Sequence, residues 1–187
     1  MEILLNMEKK GYNLTNILLV DDNKNDIELV MHHLKSSFED VLFTVANNKS
    51  EFIERLSWVI PDLIVSDFDL RDCDGLELLM HTRTITDVPF IFVSGTLNDS
   101  DKLSRSILAG ANGYVMKSNL VVLPEVIQSI MDKELENREL NLSKKAEITK
   151  VKIRINRSIA SFANDEKFKS TIEDLQAIKN SLDVIFD

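Results

Sequence analysis

Apolar residues along this chain follow two different rhythms, and the change between them falls near residue 132. In the first, short apolar runs alternate with stretches of helical spacing. Ile17-Leu18-Leu19-Val20, Leu63-Ile64-Val65, Phe90-Ile91-Phe92-Val93 and Tyr114-Val115-Met116 are continuous runs, the pattern of strands covered on both faces. They predict strands over about 16–21, 62–67, 90–94 and 113–116, with Pro89 opening the third of these. Val41–Ala46 adds another, rich in strand formers. Between them, Ile27, Val30, Met31 and Leu34 predict a helix over 25–37 capped by Asn23 or Asn25. Phe52, Ile53 and Leu56 predict a second helix, begun at Asn47-Asn48 and stopped before Pro61. Leu76, Leu79 and Met80 follow a polar loop that ends at Gly75, and Leu103, Ile107 and Leu108 follow a cap at Asp99 or Ser100 and stop at Gly110. Pro124 stands in the first turn of a fifth helix.

Beyond residue 132 no strand pattern remains. Ile148, Val151, Ile155, Ile159 and Phe162 recur every three or four positions. After Asn164-Asp165, Phe168, Ile172, Leu175, Ile178, Leu182 and Ile185 do the same. This predicts two amphipathic helices joined by a tight turn, with the fifth helix extended to about Asn141. Two short helices cannot bury both stripes alone, so they are expected to pack on the preceding domain or on a second chain.

Strands alternating with helices imply right-handed crossovers and an α/β fold, a doubly wound five-stranded parallel sheet of flavodoxin-like order 2-1-3-4-5 with a C-terminal α-helical extension. The expected organisation is a leader over 1–14, an α/β domain over 15–131 and a helical hairpin over 132–187, serving output, dimerisation or partner contact. In such a sheet the ligand crevice lies beyond the carboxyl ends of the strands. Four runs end there in chemically loaded residues, Asp21-Asp22, Asp67, Ser94 and Lys117. One edge therefore collects three carboxylates, a hydroxyl and an ammonium group, a set suited to a divalent cation and a phosphoryl group.

In this order and spacing, residues 15–131 resemble the receiver (CheY-like) domain of two-component response regulators. The resemblance implies that Asp67 is the phosphoacceptor and that Asp21, Asp22, Asp67 and the backbone carbonyl of Asp69 hold Mg2+. Lys117 and Ser94 would bind the phosphoryl group, with Ser94 and Tyr114 as the switch pair. It implies Mg2+-dependent self-phosphorylation and autodephosphorylation rather than enzymatic turnover of a substrate. The phosphodonor would be a sensor histidine kinase or histidine phosphotransfer protein, and the output a change in contacts with a downstream protein or with a second copy. Ser118 stands where the family usually carries a proline after a cis bond. A cis bond before a non-proline residue costs about 3–4 kcal/mol, which leaves the geometry of that loop open.

Composition narrows the field. No apolar run approaches the roughly 20 residues that span a bilayer, and one cysteine, Cys73, excludes an internal disulfide framework and fits a reducing cytoplasm. The net charge of −9 lies wholly before residue 132, because the 22 charged residues from 132 onward are half basic and half acidic. An acidic domain is a poor partner for nucleic acid. Six basic residues against Glu147 between Lys144 and Arg157 form a basic run, read as a solvated or partner-facing helix face. Adjacent His32 and His33 lack the three- or four-residue spacing of a helical metal pair and read as surface residues, like His81. Two competitors remain: a receiver-shaped module that acts without phosphorylation, and a haloacid-dehalogenase-type phosphatase suggested by Asp67-Phe68-Asp69. That phosphatase family places its metal-binding acids after the lysine, whereas Asp21-Asp22 precede the nucleophile.

Overall fold

A computed structural model describes residues 14–38, 40–95, 100–163 and 166–186. The leader up to residue 13, the cap at Asp99 and the turn at Asn164-Asp165 lie outside the described residues. Five strands, β1 (Asn16–Val20), β2 (Leu42–Ala46), β3 (Leu63–Asp67), β4 (Phe90–Ser94) and β5 (Gly113–Met116), form one parallel sheet of order β2-β1-β3-β4-β5. Between and after them come α1 (Lys24–Lys35), α2 (Lys49–Trp58), α3 (Gly75–Arg83), α4 (Ser100–Leu108), α5 (Leu123–Phe162) and α6 (Lys169–Phe186), with 3-10 turns at Lys117–Val122 and Glu166–Phe168. The chain divides into two compact units, residues 1–133 and 134–187.

Successive residues of a strand point to opposite faces, and the core follows that alternation. Ile17, Leu19, Leu63, Val65, Ile91 and Val93 pack on one side with Ile27, Val30 and Leu34 of α1 and with Leu123, Ile127 and Met131 of α5. Leu18, Val20, Ile64, Phe90 and Phe92 pack on the other side with Phe52 and Leu56 of α2 and with Leu76, Leu78 and Leu79 of α3. Helix starts are set by side chains. The Asn23 side chain accepts the Asn25 N–H at 3.0 Å, Asn48 that of Glu51 at 2.9 Å and Asp74 that of Leu76 at 2.9 Å. After α4, Gly110 takes φ +90° while the Ala111 N–H closes on the Ser106 carbonyl at 2.9 Å, the left-handed stop that favours glycine.

One expectation is corrected. The fifth helix does not pause near Asn141: α5 runs unbroken over Leu123–Phe162, because residues 125–187 contain neither glycine nor proline. The hairpin therefore consists of the later part of α5 and α6, joined by a short connection in which Phe162 stacks on Phe168 with ring centres 4.6 Å apart. Of the predicted stripe, Ile155 is buried and Ile148, Ile159, Phe162, Ile172, Leu175 and Leu182 are half-buried, whereas Val151, Phe168 and Ile178 are exposed and the side chain of Ile185 lies outside the described residues. In α4, by contrast, Leu103, Ile107 and Leu108 are exposed, and Ser106 is the buried one among the described side chains. Periodicity located that helix, but the buried face is decided by what packs on it.

Gly75 opens α3 directly against β3. A Cβ there would lie 2.8 Å from the Asp67 carbonyl oxygen and 2.8 Å from Cε1 of Phe92. Gly75→Ala should therefore lower unfolding stability by about 1–3 kcal/mol, read as a shift of the urea midpoint at unchanged m-value. An unchanged midpoint would show that α3 is free to move away from the sheet.

Candidate functional site

The register explains how distant residues meet. Val20 pairs with Ser66, Asp67 with Val93 and Ser94 with Met116, so Asp21, Asp67, Ser94 and Lys117 all fall at the carboxyl edge of the sheet. Strands β1 and β3 are neighbours at the point where the strand order reverses, which brings Asp21 and Asp22 beside Asp67. The three carboxylates offer oxygens that all lie within 4.8 Å of one another. Asp21 and Asp67 are buried and Asp22 is half-buried.

Lys117 holds this cluster together. Its ammonium donates to Asp21 Oδ2 at 2.7 Å, to Asp26 Oδ2 at 2.6 Å and to Asp67 Oδ2 at 2.9 Å, and only 15% of its side chain is exposed. Burial works against its charge, but the bonds to Asp21, Asp26 and Asp67 outweigh burial and hold its pKa above the ordinary lysine value. Asp21 moves in the opposite sense to most paired acids. Burial raises its pKa above the usual carboxylate range, and the bonds from Lys117 and the Asn23 N–H only partly offset that. The remaining oxygen of Asp67, Oδ1, accepts the Asp69 N–H at 3.3 Å, and the Ser66 hydroxyl donates to the Asp67 carbonyl at 2.8 Å.

Asp22 Oδ2 lies at ion-pair distance from Nε of the exposed Arg71, yet it is buried and accepts no hydrogen bond. A buried carboxylate oxygen without a hydrogen bond is costly. Together with two neighbouring carboxylates it forms an all-oxygen donor set of the kind a hard divalent cation takes. The acidic cluster therefore fits a metal ion.

The other residues expected at the site occupy distinct positions. Ser94 is fully buried at the end of β4. Tyr114 is half-buried on β5 and packs against the aromatic side of the core, which contains Phe68 and Phe92 with ring centres 5.1 Å apart. Asp69 is exposed in the loop after β3, where it forms an antiparallel bridge with Asp74. Ser118 is exposed, and the peptide before it is trans, since no cis bond occurs among the described residues. Cys73, in the same loop as Asp69, is half-buried, and burial followed by the charges of Asp72 and Glu77 pushes its thiol up to about 11. It is therefore a thiol rather than a thiolate at neutral pH. His81 is half-buried rather than a surface residue, with its ring edge-on to Phe52.

Sequence reasoning missed three members of this neighbourhood. Asp26 sits in the first turn of α1, where an acid has an ordinary explanation in the helix dipole, and that explanation hid its reach to Lys117. Arg71 is the ion-pair partner of Asp22. Gly75 leaves room for the peptide of Asp67, and its signal was its place just after the loop that follows Asp67.

Comparison with known proteins came to the same fold by another route. The response regulator receiver domain model matches residues 17–128. Chemotaxis protein CheY of Halobacterium salinarum is 28% identical over 116 residues, 62% of this chain and 93% of that protein. Regulatory protein VirG of Agrobacterium tumefaciens is 31% identical over 109 residues, 58% of this chain but only 40% of VirG. Thus the chain spans about two fifths of that relative. A crystal structure of a CheY-like response regulator receiver domain protein from Methanospirillum hungatei superposes with a TM-score of 0.58 at 28% identity, covering 67% of this chain and 99% of that one.

Lys117→Met tests the role of the ammonium. Three carboxylates would lose their common cation, and the folded protein should lose about 3 kcal/mol at neutral pH. In the wild type the raised lysine pKa stabilises the fold at every pH below the ordinary lysine value, and that contribution is lost as pH rises through the folded value. In the variant Asp21, whose pKa burial already raises, loses the lysine bond that offsets that rise, so stability should recover as pH falls through the acidic range. Urea unfolding of both proteins at about pH 7 and about pH 5 measures this. Equal stability of the two proteins at neutral pH would contradict it.

Proposed function

The chain belongs to the response regulator receiver family, and from that premise we propose that it is a phosphorylation switch with Asp67 as phosphoacceptor. The observation that carries the reading is the convergence of Asp21, Asp22, Asp67 and Lys117 on one sheet edge. The donor is a histidine kinase or a histidine phosphotransfer protein. In the transfer, an oxygen of Asp67 forms a bond to phosphorus as the P–N bond of the phosphohistidine breaks. The electron pair leaves with the imidazole, which then takes up a proton.

Asp67 needs no base, because a carboxylate is itself the nucleophilic form. What opposes transfer is the repulsion between the incoming phosphoryl group and the carboxylates already present. Asp21, Asp22, Asp67 and the carbonyl of Asp69 would hold Mg2+. That ion supplies charge neutralisation and oxygen coordination at the phosphoryl group. Lys117 is bonded to Asp67 from the start and is a point charge on a flexible stem, able to follow the charge onto a phosphoryl oxygen. Ser94 donates its hydroxyl to another phosphoryl oxygen. Catalysis here is positioning and electrostatics, with hydrolysis of the acyl phosphate as the reset step.

Phosphorylation adds about −1.5 to −2 charges at a site already rich in acid. Movement of Ser94 toward that charge opens space beside β5, and Tyr114 turns into it. The equilibrium between two packings of α4, β5 and the start of α5 then shifts. The exposed Leu103, Ile107 and Leu108 make α4 a surface suited to a changed protein contact. The helical region over 132–187 carries the output, and the protein works in the cytosol.

Intact mass after incubation with a small phosphodonor tests this reading. The wild type should gain one phosphoryl group when Mg2+ is present and none when it is chelated, and Asp67→Asn should gain none. An Asp67→Asn protein modified as readily as the wild type would overturn the assignment.

A further inference from the structure

Lys117 bonds two acids of the cluster, Asp21 and Asp67, and a different cation stands at the third, Asp22. Nε of Arg71 lies 2.5 Å from Asp22 Oδ2, the oxygen that is buried and accepts no hydrogen bond. Each acid of the cluster therefore has a tethered positive charge beside it. The loop that carries Arg71 is pinned on both sides of that residue. Leu70 is buried in the aromatic side of the core, and Asp72 accepts the Lys49 N–H at 2.9 Å. Asp69 bridges to Asp74 across the base of the loop. The backbone that follows the acceptor thus aims Arg71 at Asp22.

The two tethered cations are held to different degrees. Lys117 is mostly buried and is bonded also to Asp26, which lies outside the metal-binding set, so it can stay when an ion enters. The Arg71 side chain is 82% exposed and meets Asp22 through a single nitrogen. An ion pair at so exposed a side chain contributes little and is cheaply broken. A divalent ion that takes Asp22 Oδ2 needs that oxygen at about 2.0–2.1 Å. A guanidinium on the same oxygen would be pressed against the ion, and the two positive charges repel.

We propose that Arg71 is the built-in counter-ion of Asp22 in the metal-free protein, and that Mg2+ displaces it on binding. Arg71 then sets the Mg2+ concentration at which the acceptor site becomes complete. It does so by competition, without being a ligand itself. The inference rests on the reading of Asp21, Asp22 and Asp67 as a metal site. To that reading it adds a residue outside the donor set that determines the affinity.

Nuclear magnetic resonance of the full chain during a Mg2+ titration tests the proposal. The backbone N–H groups of Asn23 and Asp69, bonded to Asp21 Oδ1 and Asp67 Oδ1, report entry of the ion. The Arg71 Nε–H resonance, identified by its absence from Arg71→Gln, should move with the same midpoint. Arg71→Gln should bind Mg2+ about two- to fivefold more tightly than the wild type, the range set by loss of one exposed ion pair. Arg105→Gln, which removes an exposed cation paired instead with Asp74, should leave the affinity unchanged. Movement of the two amides with no movement of the Arg71 Nε–H overturns the proposal, since the guanidinium would then remain on Asp22. Equal affinity in Arg71→Gln and wild type also overturns it. So does a gain in Arg105→Gln as large as that in Arg71→Gln, which would make overall charge the cause. No amide movement in either the wild type or Arg71→Gln overturns the metal reading itself, and the inference with it.

Discussion

One ammonium group balances three carboxylates at the edge of the sheet, and the rest of the site depends on that balance. Lys117 leaves β5, lies mostly buried, and reaches Asp21 after β1, Asp26 in α1 and Asp67 at the end of β3. Without it, like charges would be forced together in a partly desolvated crevice, which the fold could tolerate only by taking up protons. With it, the three carboxylates sit close enough to share one cation. The arrangement is marginal at Asp21, where burial keeps the carboxyl pKa above its usual range even with the lysine bonded to it.

The scaffold delivers this geometry through packing on both faces of the sheet. Strand residues alternate between a side covered by α1 and α5 and an aromatic side covered by α2 and α3, so a slip of one residue would turn Asp67 into the core. Phe68, Phe90 and Phe92 pack ring against ring on the aromatic side of the sheet, and α3 begins at a glycine because its backbone passes so close to the peptide of Asp67. Rigid backbone on one side and a long flexible lysine on the other allow charge to be rearranged at Asp67 while the strands stay in place.

Much of this was legible before any coordinates. Strands buried on both faces announce themselves as continuous apolar runs, and the residue that ends such a run lies at the ligand edge. Asp21, Asp67, Ser94 and Lys117 could therefore be collected from order and spacing alone. Asp26 could not, since an acid in the first turn of a helix has a common local cause. The outward face of α4 was hidden for a related reason: period locates an apolar stripe but does not say which neighbour covers it. The pause expected near Asn141 did not occur, because asparagine weakens a helix by only a fraction of a kcal/mol, roughly 0.7 or less, while proline costs about 3.

Which carboxylate takes the phosphoryl group decides the proposed switch, and mapping that atom is the most direct test. Borohydride reduces an aspartyl phosphate to homoserine, and trypsin releases a peptide spanning residues 56–71 that contains Asp62, Asp67 and Asp69. After phosphorylation and reduction, fragment masses of that peptide should place homoserine at position 67 and leave positions 62 and 69 as aspartate. Homoserine at position 69, or in the peptide carrying Asp21 and Asp22, would contradict the assignment of Asp67 and the roles of the residues arranged around it.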